Sequence, residues 1–81
     1  MDERLESILK ELGKNQSNKL ETAGRSVQIF NGENPIVSID EEKKYAEFSD
    51  KFIKSARRIK VLQPLVNYLE KNMYSTNLDL D

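Results

Sequence analysis

A chain of 81 residues, 37% hydrophobic and 33% charged, makes one small domain. A chain of this size buries about 60% of the surface its unfolded form exposes, so its own core supplies limited stability. It has no Cys and no His, which excludes disulfides and thiolate metal sites and removes the commonest general base and transition-metal ligand.

Of the devices that stabilise small chains, oligomerisation or partner binding remains. The net charge of −1 is unevenly placed, because residues 43–60 carry seven bases and two acids while the flanking segments are acidic. A local excess of this sort says more about partners than the overall balance does.

At the N-terminus no apolar run reaches signal-peptide length, and nothing in the chain approaches a membrane span. The expectation is a cytoplasmic protein, or one of the host cytoplasm if viral, with no membrane partner. Residues 2–12 read as a short amphipathic helix: Leu5, Ile8, Leu9 and Leu12 share one face of a 3.6-residue period. Asp2 can cap it, Glu3 and Glu6 suit the positive end of its dipole, and Gly13 can end it in the left-handed conformation. Lys14 to Lys19 is polar and reads as a linker. Asn15-Gln16-Ser17 matches a glycosylation acceptor, a match without meaning in a chain with no secretory signal. Leu20 to Gly24 fits either one helical turn or an extended connection.

Residues 25–39 read as a β-hairpin. Val27 and Ile29 alternate with Ser26 and Gln28, Asn31-Gly32 is a strong hairpin-turn signal, and Ile36, Val37 and Ile39 form a second β-branched run. Pro35 belongs at the start of that strand or on an edge. A two-residue Asn31-Gly32 turn sets Val27 opposite Ile36; a three-residue loop sets it opposite Val37.

From Asp40 to Met73 the apolar residues recur every three or four positions. Tyr45, Phe52, Ile59, Val66 and Met73 fall at heptad position a; Phe48, Leu62 and Leu69 fall at d, with Ser55 the one polar member. Such a repeat predicts a long helix with one buried seam. Ser38 with Glu41 has capping-box spacing, and Asp40 is an alternative cap. Pro64 leaves two readings: a kinked continuous helix, or a stop near Lys60–Leu62 and a new helix with Pro64 in its first turn. Residues 75–81 read as a flexible acidic tail after a domain of residues 1–74.

Two sets of residues are candidates for function. The seam of Tyr45, Phe48, Phe52, Ile59, Leu62, Val66 and Leu69 would meet a second copy or a partner helix. Lys51, Lys54, Arg57, Arg58 and Lys60 would form a basic face for nucleic acid or an acidic partner; on a helical wheel the first four lie opposite the seam. Tyr68 lies off the seam as an exposed contact residue. Ile53, Val61 and Leu65 form an apolar strip the seam does not use, which marks a partner surface if exposed and is otherwise covered by the N-terminal helix and hairpin. No phosphate loop is present, since the three Gly stand at 13, 24 and 32. Asn77, Asp79 and Asp81 lack the Gly and Glu of a calcium loop. No cofactor or metal is therefore expected.

The fold expected is α+β, mainly α: a short N-terminal helix, a β-hairpin and a long, Pro-broken or kinked, amphipathic C-terminal helix. The expected function is non-enzymatic: an interaction or assembly module that self-associates or docks on a protein partner, of the kind found among small phage or bacterial regulators and inhibitors. The alternative is a nucleic-acid-binding regulator that uses the basic face. Four Arg against nine Lys favours the first, because bidentate base and phosphate recognition prefers Arg.

Overall fold

The computed structural model describes residues 2–14 and 18–80; the Asn15-Gln16-Ser17 match and Asp81 lie outside the described residues. The chain is a five-stranded sheet covered on one face by helices. It is not the mainly α fold with a long C-terminal helix that the heptad implies.

Helix α1 (Glu3–Gly13) forms as its sequence suggests. Asp2 is extended, and its Oδ1 accepts from Arg4 N at 2.8 Å and Leu5 N at 3.3 Å. Leu5, Leu9 and Leu12 are buried. Gly13 is not left-handed, contrary to expectation, and Lys14 caps the helix in helical geometry. Its small size serves packing instead: a Cβ there would sit 3.0 Å from Leu20 Cδ1.

Leu20–Ala23 takes the extended alternative and, with Asn18 and Lys19 of the expected linker, forms strand β1 (Asn18–Ala23), which pairs antiparallel with β2 (Ser26–Asn31). The loop between them is Gly24-Arg25, with Gly24 at φ 61°. β2 then pairs with β3 (Asn34–Asp40) across Gly32-Glu33, with Gly32 at φ 80°. Glycine thus takes the first central position of both two-residue loops, where side chains would be strained. The turn is one residue later than Asn31-Gly32, and a bulge between Ile29 and Phe30 shifts the register again. Val27 therefore faces Ile39, not Ile36 or Val37, and Ile29 faces Val37. The extra residue in β3 lets both Ile36 and Val37 be buried.

The largest departure is β4 (Tyr45–Phe48), an antiparallel partner of β3 where a helix was expected. Asp40 does act as a cap, as its position suggested, but of a turn: its Oδ1 accepts from Glu42 N at 3.0 Å and Lys43 N at 3.1 Å. Lys44 then takes φ 55° and reverses the chain. Val37 faces Phe48, and Ile39 faces Ala46. The inner rows Val27–Ile39–Ala46 and Ile29–Val37–Phe48 thus cross the sheet on its buried side. Pairing with the two β-branched residues of β3 and burial of Phe48 outweigh the modest helix preference of Ala46 and Glu47.

Beyond Ser49 the chain makes one helical turn, α2 (Asp50–Ile53), and further turns to Ile59, which is extended (φ −77°, ψ 115°). A 3-10 turn (Lys60–Leu62) leads into α3 (Gln63–Lys71), together one C-terminal helical segment of 12 residues. Pro64 sits in the first turn of α3, where its missing N–H costs nothing. A new helix with Pro64 in its first turn matches one part of the break reading, but no long helix precedes it: residues 45–48 are a strand and α2 ends at Ile53. α3 packs beside α1 and buries Leu65, Val66, Tyr68 and Leu69.

Residues 75–78 are not a tail. β5 (Ser75–Thr76) pairs parallel with Tyr45 and Ala46 of β4, and Leu78 in the following 3-10 turn is buried. The radius of gyration is 11.5 Å, against the roughly 12 Å of a compact chain of this length. The chain therefore closes over its own core.

Candidate functional site

The seven seam residues do not share a face. Tyr45 points out of β4 while Phe48, three residues on, is fully buried, as strand alternation demands. Phe52 and Ile59 are half-buried, and Leu62, Val66 and Leu69 lie in the core. Met73, at φ 62°, is 86% exposed. The off-seam residues are equally redistributed. Tyr68 is buried, and so is Leu65; Ile53 is half-buried, and only Val61 remains exposed, at 52%.

The basic residues, by contrast, stay on the surface. Lys51, Lys54, Arg57, Arg58 and Lys60 are all exposed. They do not form a stripe on a long helix, because α2 ends after four residues. A run of turns carries them instead, and residues 51–60 include five bases and no acid. Arg57 is ion-paired with Glu70 of α3. Lys51 Nζ lies 6.0 Å from the Phe52 ring centroid. Lys54, Arg58 and Lys60 form no ion pair with a described residue. Ala56 is the one fully buried side chain of this segment; Phe52, Ile53 and Ile59 rest against the core from its edge.

This edge is where the core opens. A cleft of about 140 Å³ has Phe52, Ile59 and Val61 among its walls, and buried Leu12, Ile29, Ile36, Val37 and Leu62 among the others. Asn18 and Asn31 also line it. Asn18 Nδ2 donates to Leu12 O at 2.9 Å, and Asn31 Nδ2 donates to Asn18 Oδ1 at 3.1 Å. Phe52 lines a second, larger groove as well, of about 550 Å³, with Asn31, Asn34, Ser38, Glu47, Asp50 and Lys51. That groove is polar and mixed in charge. A third depression of about 250 Å³ lies on the outer face of the sheet, among Glu21, Gln28, Ser38, Asp40, Tyr45 and Glu47. Gln28 Nε2 donates to Ser38 Oγ across that face at 3.1 Å.

At the opposite end of β4, Lys43 and Lys44 are separated from the 51–60 cluster by the length of the strand. Lys44 Nζ stands 5.0 Å over the ring of Tyr74, whose centroid is 6.1 Å from that of Tyr68. Burial pushes the Tyr74 hydroxyl up to about 12, with Tyr68, Glu41 and Asp2 adding to the shift. Tyr68 is also raised, by burial first and then by the charges of Asp2 and Glu41, with Arg4 opposing. Both tyrosines are therefore neutral structural groups at ordinary pH.

Among the described residues no three acidic side chains gather where they could hold a metal ion, and no helix is long and apolar enough to cross a membrane. Asn77, one of the three alternating tail residues, spends its amide on the backbone of Phe48. The cleft has no signature in the sequence, whereas its exposed rim residue Val61 belongs to the apolar strip of Ile53, Val61 and Leu65. That strip does not form as one surface: the break at Ile59 separates Val61 from Ile53, and Leu65, in the same helical segment as Val61, is buried. No protein-family model matches the chain, and no curated protein or solved structure is significantly similar to it.

Proposed function

We propose that this chain is a non-enzymatic interaction module that docks on a partner macromolecule through the surface formed by Lys51–Val61. The observation that carries the reading is Val61: a β-branched aliphatic, 52% exposed, on the wall of an apolar cleft and directly after a ten-residue segment with five bases and no acid. Single exposed aliphatics are ordinary, but one beside an opening into the core and at the end of a basic segment has the composition of a binding surface.

The heptad seam loses its part in this reading. Phe48, Leu62, Val66 and Leu69 would have to leave the core to meet a partner. Self-association through the 51–60 surface would set like charges against each other; a hetero-partner avoids that repulsion. Nucleic acid is supported less well. α2 is too short to lie in a groove, Arg57 is engaged by Glu70, and the exposed rim residue is aliphatic rather than a stacking aromatic.

The test is co-purification from the native host with tagged full-length protein, after nuclease treatment. Val61→Asp, on a side chain outside the core, should leave the melting curve near wild type and remove the bound species. A bound species retained in full by Val61→Asp would disprove docking at this surface.

A further inference from the structure

We infer that the partner presents an acidic peptide segment with a single large apolar side chain, which enters the cleft between Val61 and Leu12. This rests on the docking reading above and names the chemistry of the occupant.

The cleft sets the apolar part. Its volume is about 140 Å³; an apolar cavity of about 150 Å³ holds a molecule the size of benzene. One branched aliphatic chain or one aromatic ring fills it, and pockets for small-molecule ligands are larger, about 300–1,000 Å³. Phe52, Ile59 and Val61 contribute apolar wall, and Leu12, Ile36 and Leu62 are buried residues against which the inserted group would pack. A single anchor in a desolvated pocket is the usual form of a binding hot spot.

The charges set the rest. Lys60 precedes Val61 directly, Lys51 precedes Phe52, and Arg58 precedes Ile59, so each of the three rim residues has a base as its chain neighbour. Lys54 extends the field. Arg57 contributes little, since Glu70 neutralises it. The acids nearest in sequence, Glu47 and Asp50, line the adjoining groove beyond Phe52 together with Lys51, which leaves Lys54, Arg58 and Lys60 as exposed bases that form no ion pair with a described residue. Acidic residues flanking the anchor therefore meet a surface of complementary sign on the Val61 side. Asn31 supports a peptide in particular. Its Nδ2 is committed to Asn18, while its Oδ1 accepts from no described residue. It is an exposed acceptor lining the same cleft, of the kind a backbone N–H needs.

The experiment is selection of a random 12-residue peptide library on the immobilised full-length protein, with measured affinities for the peptides recovered. The expected peptides carry one Leu, Ile, Met or Phe flanked by at least two Asp or Glu. Their affinity should fall tenfold or more with Val61→Asp and with the double change Lys54→Glu, Lys60→Glu. It should be unaffected by Lys43→Glu at the far end of the strands. It should also weaken steeply with salt in the wild type and less so in the double variant.

Peptides that need Val61 but show no excess of acid would overturn the inference and leave the docking surface standing. Peptides indifferent to Val61→Asp would overturn both. No enrichment over an unrelated bait overturns the inference. Duplex DNA or RNA bound in a manner that depends on Lys54 and Lys60 would overturn it as well, and would assign the surface to nucleic acid.

Discussion

Asn77 treats Phe48 as a strand treats its neighbour. Its Oδ1 accepts from Phe48 N at 2.9 Å, and its Nδ2 donates to Phe48 O at 2.7 Å. The side-chain amide thus completes the ladder that β5 begins with Tyr45 and Ala46, and it holds residues 75–78 against the sheet. Replacement with Ala leaves a part-buried N–H and C=O without partners, at about 1–3 kcal/mol. A domain this size should then melt several degrees lower, at about 4–8 °C per kcal/mol. An unchanged melting temperature for Asn77→Ala would show that the C-terminal segment does not support the fold.

Phe48 and Phe52 separate what the heptad put together. Phe48 is 0% exposed, so Phe48→Ala should cost about 3–5 kcal/mol. Phe52 is half-buried at the cleft edge, and Phe52→Ala should cost about 1–2 kcal/mol. Chemical denaturation of the two variants checks the order. Equal losses would restore Phe52 to the core.

How far the fold could be read from the sequence turns on these same residues. α1 was legible because its periodicity, cap and length agree: Asp2 binds the first amides, and Leu5, Leu9 and Leu12 are buried. The β2–β3 hairpin was legible from Val27, Ile29 and Gly32, but its register was not, since a bulge leaves no sequence mark. β4 was invisible because four residues, Tyr45-Ala46-Glu47-Phe48, satisfy both periods. Tyr45 and Phe48 stand three apart, as on a helix face, while Ala46 and Phe48 stand two apart, as on a strand face. The contest is decided by Val37 and Ile39, which lie outside the window that periodicity inspects. The basic residues were legible as a cluster because their positions are contiguous. The cleft was not, since it forms where α1, β2, β3 and the Ile59–Leu62 segment converge.

Tyr74 gives a prediction about pH. Its hydroxyl is raised to about 12 in the fold, against about 10 in an unfolded chain. Between these values the unfolded state has lost the proton and the folded state keeps it. Stability is therefore unaffected below pH 10 and falls as pH rises toward 12, by about 2–3 kcal/mol from this group. Tyr74→Phe should make the curve less steep over that interval in denaturation measurements, with Tyr68, also raised, supplying part of what remains. The same slope in wild type and variant would remove Tyr74 as the cause.

Gly24 should not tolerate a side chain. Space is not the obstacle, because nothing lies within 4 Å of a Cβ there. Its φ of 61° is the obstacle, and Gly24→Ala should cost about 1–2 kcal/mol for the left-handed conformation. A thermal melt at or above wild type would mean that the β1–β2 loop has another geometry in solution.

The most direct test of docking at residues 51–61 is photocrosslinking in the native host. A photoreactive phenylalanine analogue is placed singly at position 61, at position 52 on another wall of the cleft, and at position 28 on the outer face of the sheet. Docking at the cleft predicts a discrete cross-linked species from positions 61 and 52 and none from position 28. The same species from position 28, with none from position 61, would contradict it.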